Sequence, residues 1–538
     1  MENRTQTRPS ASGYSEAGAS RVRRALKGFN AVSVNPNEDI NWQNSTLRQR
    51  GRMLYMSSPV ATSAINTNRT KVVGTGLTMK STIERDVLGL SAEQAKEWQR
   101  NTEREFRLWA DKKGNCDATG MNNFAGLQQL AIKSWLMSGD VFALVKRYKP
   151  TVNCPYSLRI HLIEADRIST PSAYGGFAAG SLTDGKNPMN GNKIHDGVEI
   201  DANGQAVAYH ICSAYPYQHT TDRLEWMRVE AYGERTGLPN IMHVMDTERP
   251  DQYRGVTYLA QVIEQLLNLS RYTQSELMAA LIQSFYTAWI ETETDTADIP
   301  FNEVGMGDDG IDGNPPGAGD SVSQDQNEYE MGPGTVAHLK PGEKIVFGQP
   351  NTPSAGFDSF FKTICKTIGA ALEIPYDVLV KEFDASYSAS RAAIMEAWEA
   401  FKMRRQWLVD SFCQPTYEVW LAEAVALGRI HAPGFFTDPR IRAAWSTARW
   451  IGPVQGQLDP TKEVKADILA VDHGFKTHEQ VAREYGGGDW EENVEQLAQE
   501  NAALRAAKGS GDPSVDAIMN EPDEEEEEDS NAQNPEND

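Results

Sequence analysis

The chain lacks nearly every residue pattern that announces a reaction. Its five cysteines, Cys116, Cys154, Cys212, Cys365 and Cys413, lie far apart with no CxxC spacing. That excludes a disulfide framework or a cysteine zinc site and predicts small, buried, reduced thiols. The nine histidines form no HExxH pair and no His–Cys cluster, so no metal-hydrolase signature is present. There is no GxSxG elbow, no phosphate-loop GKS or GKT and no dinucleotide fingerprint. Gly74-Thr-Gly76 is a lone GxG and predicts a turn. No apolar run reaches the ~18 residues of a membrane span, and Met1–Arg8 has no signal-peptide core. The expectation is an intracellular soluble chain with no catalytic residue, cofactor or metal.

Basic residues are also scarce: 52 Lys and Arg against 75 Asp and Glu, a net charge of −23. Ten acidic groups and no basic ones fall in residues 521–538. Phosphate affinity comes mainly from Lys and Arg, so an acidic body disfavours tight gripping of DNA. It is compatible with a lumen along which a polyanion slides.

A chain of 538 residues holds several packing units. Residues 1–45 read as a flexible polar arm. Its one basic patch, Arg21–Lys27, suits a solvated helix face or a nucleic-acid contact. Leu47–Val73 and Asn123–Ser138 read as helices, and Trp98, Phe106 and Trp109 recur at helical spacing. Val141–Val145, Ser157–Ile163 and Ile241–Met245 read as strands, and Gly197–Ile211 as a hairpin turning at Asn203-Gly204. This first half is α+β.

Val256–Ile290 is the longest apolar-periodic stretch and predicts a helix of ~50 Å, too long for one small domain to cover. Glu291–Gly334 has too few apolar residues to fold alone. Within it Asp308, Asp312 and Gly313 fit calcium-loop positions, but Gly310 and Gly319 replace a ligand and the closing Glu. An exposed flexible insert is expected. Thr335–Leu339 and Lys344–Phe347 then read as strands joined by Lys340–Glu343.

Phe357–Leu372 is a helix bearing Lys362 and Lys366 four residues apart, either phosphate contacts or ordinary exposed lysines. A polar loop follows, and Ala392–Leu427 reads as one long helical region. Its aromatics, Trp398, Phe401, Trp407, Phe412, Tyr417 and Trp420, predict core or subunit interface. Asp459 and Pro460 open another helix. Val494, Leu497, Asn501 and Leu504 form a short coiled-coil-like seam. A disordered acidic tail closes the chain.

The stretch Glu373-Ile-Pro-Tyr-Asp-Val-Leu-Val-Lys-Glu-Phe-Asp-Ala-Ser-Tyr-Ser-Ala-Ser-Arg391, set between two helices, resembles the tunnel-loop region of lambda-type tailed-phage portal proteins. Further wording resembles the same family: Val73–Leu77, Cys116–Gly120, Ser134–Asp140, Leu162–Arg167, Gly197–Glu199, Arg249–Val256, Ala432–Phe436, Trp450–Pro453 and Leu458–Pro460. The resemblance runs from about residue 45 to 505.

It implies an α+β portal fold: an α+β wing domain (46–252), a first stem helix (253–290), and a clip with a flexible insert (291–350). A second stem helix (351–374), tunnel loop (375–391), wing and long-helix region (392–460), helical crown (461–508) and acidic tail (509–538) complete it. The resemblance also implies a ring of about 12 copies at one capsid vertex, closed by heterologous contacts. Double-stranded DNA would pass through it during packaging and ejection. Its partners would be the terminase, then head–tail connector and completion proteins, with major capsid and scaffold proteins around it and no membrane. It would reside in the virion, and in host cytoplasm during assembly. The residues expected nearest the DNA are Lys381, Glu382, Asp384, Ser386 and Tyr387, then Lys362 and Lys366. Two rivals remain: a metal-dependent nuclease or other head-morphogenesis enzyme, and a monomeric DNA-binding adaptor.

Overall fold

The computed structural model describes residues 24–29, 31–175, 184–216, 223–285, 288–292, 343–347, 356–383, 387–455, 460–486 and 490–508. The chain forms two compact units: Met1–Ala260 with Glu373–Asp538, and Gln261–Leu372.

The first unit opens on two helices. Pro36 sits in the first turn of the Pro36–Ser57 helix, and the Asn35 side chain caps it by accepting from the Asn37 amide at 3.0 Å. Residues 36–45, expected in a flexible arm, are therefore helical. The single helix expected over Leu47–Val73 is also divided. Ser58 is extended (φ −106°, ψ 115°) because the Pro59 ring disfavours a helical residue before it, and a second helix runs from Pro59 to Val72. The buried face of the first helix is polar: Asn37, Asn41, Asn44 and Arg48 precede Gly51 and Leu54. It packs on the segment around Arg254, with Asn37 donating to the Asp251 carbonyl (2.9 Å) and Asn44 to that of Gly255 (2.8 Å).

Two antiparallel sheets follow. One has the order Leu158–Glu164, Asp140–Arg147, Ile241–Met245; the other runs Asp184–Lys186, Lys193–His195, Val198–Ile200, Ala206–Cys212, Trp226–Glu230. Alternation along the strands decides the packing. Phe142 and Leu144, with Ile163 opposite Phe142, meet Val198, Ile200, Tyr209 and Ile211 of the second sheet in one buried cluster. Each such side chain contributes ~1.5–3 kcal/mol on burial. The Phe124–Ser138 helix packs on the three-stranded sheet. The hairpin turns at Asn203-Gly204 as expected: Gly204 has φ +88°, and Asp201 accepts from the amides of Asn203 and Gln205 at 2.8 Å.

The long helical region is continuous in chain but not uniform. Tyr387–Leu408 and Gln414–Ala426 are joined by a π-helical turn at Val409–Cys413. Pro415 explains it, since it has no amide for the Ser411 carbonyl and its ring crowds that group, so the turn widens. Of the aromatic residues read as core or subunit interface, most are core, and Trp407 is half-buried. Phe401, Phe412, Tyr417 and Trp420 are buried, and Phe106 meets Trp420 edge-on at 5.0 Å and Tyr417 at 5.7 Å. Such pairs add about 0.5–1.5 kcal/mol each beyond area. All five cysteines are buried and unbridged. Three helices, Pro460–Asp472, His478–Gly486 and Trp490–Lys508, end the described chain. Asp459 lies outside the described residues.

In the second unit, the Ile263–Phe285 helix packs against Phe357–Ala371, with Tyr272 stacked on Phe357 at 5.5 Å and edge-on to Phe360 at 4.9 Å. The helix expected to reach Ile290 stops at Phe285. Ala288–Thr292, rich in the β-formers Trp289, Ile290 and Thr292, is a strand instead. Its antiparallel partner is Glu343–Phe347, with Ala288 opposite Phe347. The strand expected there is thus real, but its described partner is Ala288–Thr292. Thr335–Leu339 and the calcium-loop positions Asp308 and Asp312 lie outside the described residues.

Candidate functional site

The loop after Leu372 is rooted before it is exposed. Glu373 adopts a left-handed conformation (φ +52°), at roughly 1–2 kcal/mol for a residue with a Cβ. Arg404 offsets that cost by donating to the Glu373 carboxylate at 2.6 Å, to Asn68 at 3.1 Å, and by lying 5.0 Å over the Tyr258 ring. Ile374 and Leu379 are buried, and the Ser63 hydroxyl donates to the Leu379 carbonyl at 2.7 Å. Pro375 opens a short helix, Tyr376–Val380, which Lys381 ends in the left-handed region at φ +63°.

The expected 375–391 loop is therefore helical at 376–380 and again from Tyr387. Lys381 is exposed, Phe383 is 58% exposed, and the Tyr376 hydroxyl donates to Glu382 at 2.5 Å. Asp384 and Ser386 lie outside the described residues, and Tyr387 is placed only as the first residue of the long helix. Ser390 Oγ lies 3.5 Å from Asp377 Oδ2.

Lys362 and Lys366 belong to the second unit, on the Phe357–Ala371 helix. Lys362 pairs with Asp358 one turn earlier at 3.2 Å, and Lys366 is exposed. The structure thus leaves Lys381 exposed on the loop, ties Glu382 to Tyr376, and places the two lysines on one helix of the other unit.

Three of the family-like segments, Ser134–Asp140, Leu162–Arg167 and Arg249–Val256, meet at one buried point. Arg254 donates to Asp140 (2.7 and 3.2 Å), to the carbonyls of Ala165 (2.8 Å), Ile168 (3.0 Å) and Asp196, and pairs with the Asp196 carboxylate at 2.7 Å. Arg48 reaches Asp196 at 3.1 Å, and Arg52 pairs with Asp166. Close backbone approach makes this possible: a Cβ on Gly255 would stand 1.9 Å from the Gly139 carbonyl oxygen, and Gly139 has φ +90°. Burial pushes the Asp140 carboxyl up, but Arg254 and Arg48 hold it well below the usual carboxylate range. His243, 3.4 Å from Asp140, is pushed down by burial and is neutral.

A second buried carboxylate, Glu199, accepts from Arg228 (2.8 and 3.1 Å) and from Asn187, Asn190 and Asn192, with His210 at 3.0 Å. Burial raises it, and Arg228 with the three amides pulls it well below its ordinary value. Glu199 is saturated by Arg228, His210 and three amides, and Asp140 is held by Arg254, His243 and the Gly255 amide, so both carboxylates serve to hold the fold together. Among the described residues no group of three or more His, Cys, Asp or Glu is placed to hold a metal.

Sequence reasoning missed Ser63, Asn68 and Arg404 as the root of the loop. They lie hundreds of residues from it or on a helix read only for its aromatics, and no local pattern marks them.

A family profile described as phage portal protein, lambda family, matches residues 23–405, spanning both the Arg254 knot and the rooted loop. This chain belongs to that family. Portal protein B of Escherichia phage lambda is 24% identical over 476 residues, covering 84% of this chain and 83% of the relative. The portal protein of Escherichia phage N15 is 23% identical over 493 residues, covering 90% and 88%. Among solved structures, the neck of a native GTA particle computed with C12 symmetry shares 14% identity at a TM-score of 0.39, covering 82% of this portal-family chain and 93% of that one. No described helix is long and apolar enough to cross a membrane.

Proposed function

We infer that this chain is a portal subunit: copies close into a ring at one capsid vertex, and double-stranded DNA passes through the ring during packaging and ejection. The observation that carries this reading is the family match over residues 23–405, joined to portal relatives covered over more than four-fifths of their length. The second unit supports it physically. Leu277 (61%) and Met278 (51%) are exposed on its longer helix and Phe360 on the shorter, apolar surface that two helices cannot cover and that neighbouring copies would.

About a dozen copies form the ring; the terminase and then connector and completion proteins dock on it, with capsid and scaffold proteins around it. It is virion-borne after assembly in host cytoplasm. Lys381, Glu382, Asp384, Ser386 and Tyr387 are the first choices for facing the DNA, and Lys362 and Lys366 the second. Lys381 and Glu382 bring opposite charges side by side, so contacts to phosphate are weak and easily broken. The chain works by geometry and not by bond-breaking. A nuclease would need carboxylates open to a cation, and Asp140 and Glu199 are occupied by arginines.

Heads assembled with and without this chain, then offered duplex DNA, terminase and ATP, test the reading. Filled heads only when the chain is present are expected; equal filling without it contradicts the proposal.

A further inference from the structure

The three helices that end the described chain carry two unfilled apolar surfaces of opposite shape. One is a slot of about 240 Å³ between the Pro460–Asp472 and His478–Gly486 helices, lined by Val464, Ile468 and Val471 on one side and Val481 and Tyr485 on the other. It is smaller than the ~300–1,000 Å³ of small-molecule sites and suits side-chain knobs. Lys476 braces it, reaching Asp467 at 2.7 Å from one helix and Glu484 at 2.6 Å from the other. The other surface is a ridge on the Trp490–Lys508 helix, where Leu497 is 52% and Leu504 53% exposed. Seven residues apart, they stand on one stripe of that helix.

The ridge does not enter the slot of its own copy. Trp490 stacks on His478 at 4.4 Å and Glu495 pairs with Arg100 at 2.8 Å, which fixes the helix while the slot stays open. We propose that Leu497 and Leu504 of one copy seat in the slot of the next, so that each crown is completed by its neighbour. A closed ring brings different surfaces of adjacent copies together at every contact, and ridge-into-groove packing is how helices meet. Arg505 beside the ridge can pair with the exposed Asp472 that lines the slot, although Glu500 stands on the ridge stripe itself. This contact rests on the portal-ring reading and adds to it the surfaces that meet.

Two single variants, Leu497→Cys and Ile468→Cys, test it when co-assembled and oxidised; the five native thiols are buried. A disulfide-linked dimer in mixed rings, absent from rings of either variant alone, is expected. Rings without that dimer overturn the crown contact and leave the portal reading standing, whereas failure of the unsubstituted chain to form rings, even with scaffold protein, overturns both. The double variant Leu497→Asp, Leu504→Asp gives a second readout. Its helix content stays unchanged by circular dichroism, while rings dissociate at about tenfold or higher protein concentration. Unchanged dissociation overturns the contact.

Discussion

Arg254 and Asp140 meet inside the first unit with neither side chain exposed, Nε to Oδ2 at 2.7 Å. The pair ties the strand that begins at Asp140 to the segment that leads into the second unit. Burying two charges is costly, so such a pair is worth more when broken than when replaced. Asp140→Ala is expected to cost about 3–5 kcal/mol because it removes the two-bond partner of a buried Arg254 and leaves the Asp196 carboxylate as its remaining close ion pair. Arg254→Met is expected to cost at least as much, because it also takes the donor from the Asp196 carboxylate and from the buried carbonyls of Ala165, Ile168 and Asp196. Urea unfolding followed by fluorescence checks both, and an Arg254→Met chain as stable as the parent contradicts this.

Acid should weaken this unit in two stages. His210 and His243 are both pushed down by burial, so the unfolded chain binds more protons below its own histidine value of ~6.5 and stability falls from there. Asp140 and Glu199 are both held low. Their contribution is full above the unfolded carboxylate range near ~4 and is lost as pH falls toward their folded values. Melting temperature measured from pH 7.5 to 3 should hold down to about 6.5, decline below it and decline again below about 4, and His243→Phe should flatten only the upper stage. A maximum near pH 5 contradicts this.

Glycines separate close packing from open turns. Gly255→Ala places a methyl group 1.9 Å from the Gly139 carbonyl oxygen and should destabilise by about 3 kcal/mol or more. Gly114→Ala meets nothing within 4 Å and should be neutral or stabilise by up to ~1 kcal/mol. Thermal melts of the two variants side by side give the contrast directly.

Lys381→Gly removes a charge from the loop and keeps its left-handed turn without strain. Rings should form normally, while the rate of DNA filling or the retention of filled heads changes. Loss of the ring itself would place Lys381 in assembly and remove it from the channel.

Local chemistry made much of the fold readable. Asn203-Gly204 specified its turn, the apolar run Val141–Val145 specified the strand through Phe142, and the aromatics of the long helix pointed to core or subunit interface. The errors have physical sources. Val256–Ile290 is apolar throughout, so periodicity could not show where helix gives way to strand at Ala288. Asn37, Asn41, Asn44 and Arg48 form a buried polar stripe, and polar residues before Leu47 read as a solvated arm because their partners lie two hundred residues away. The loop was legible through its resemblance, but its root was not: Arg404 and Ser63 reach it only after the chain has folded.

Electron microscopy of the purified chain, with native mass determination beside it, tests the central claim most directly. The account predicts closed rings of about a dozen copies with a central hole wide enough for duplex DNA. A monodisperse monomer at physiological salt, unchanged by added scaffold protein, would contradict it.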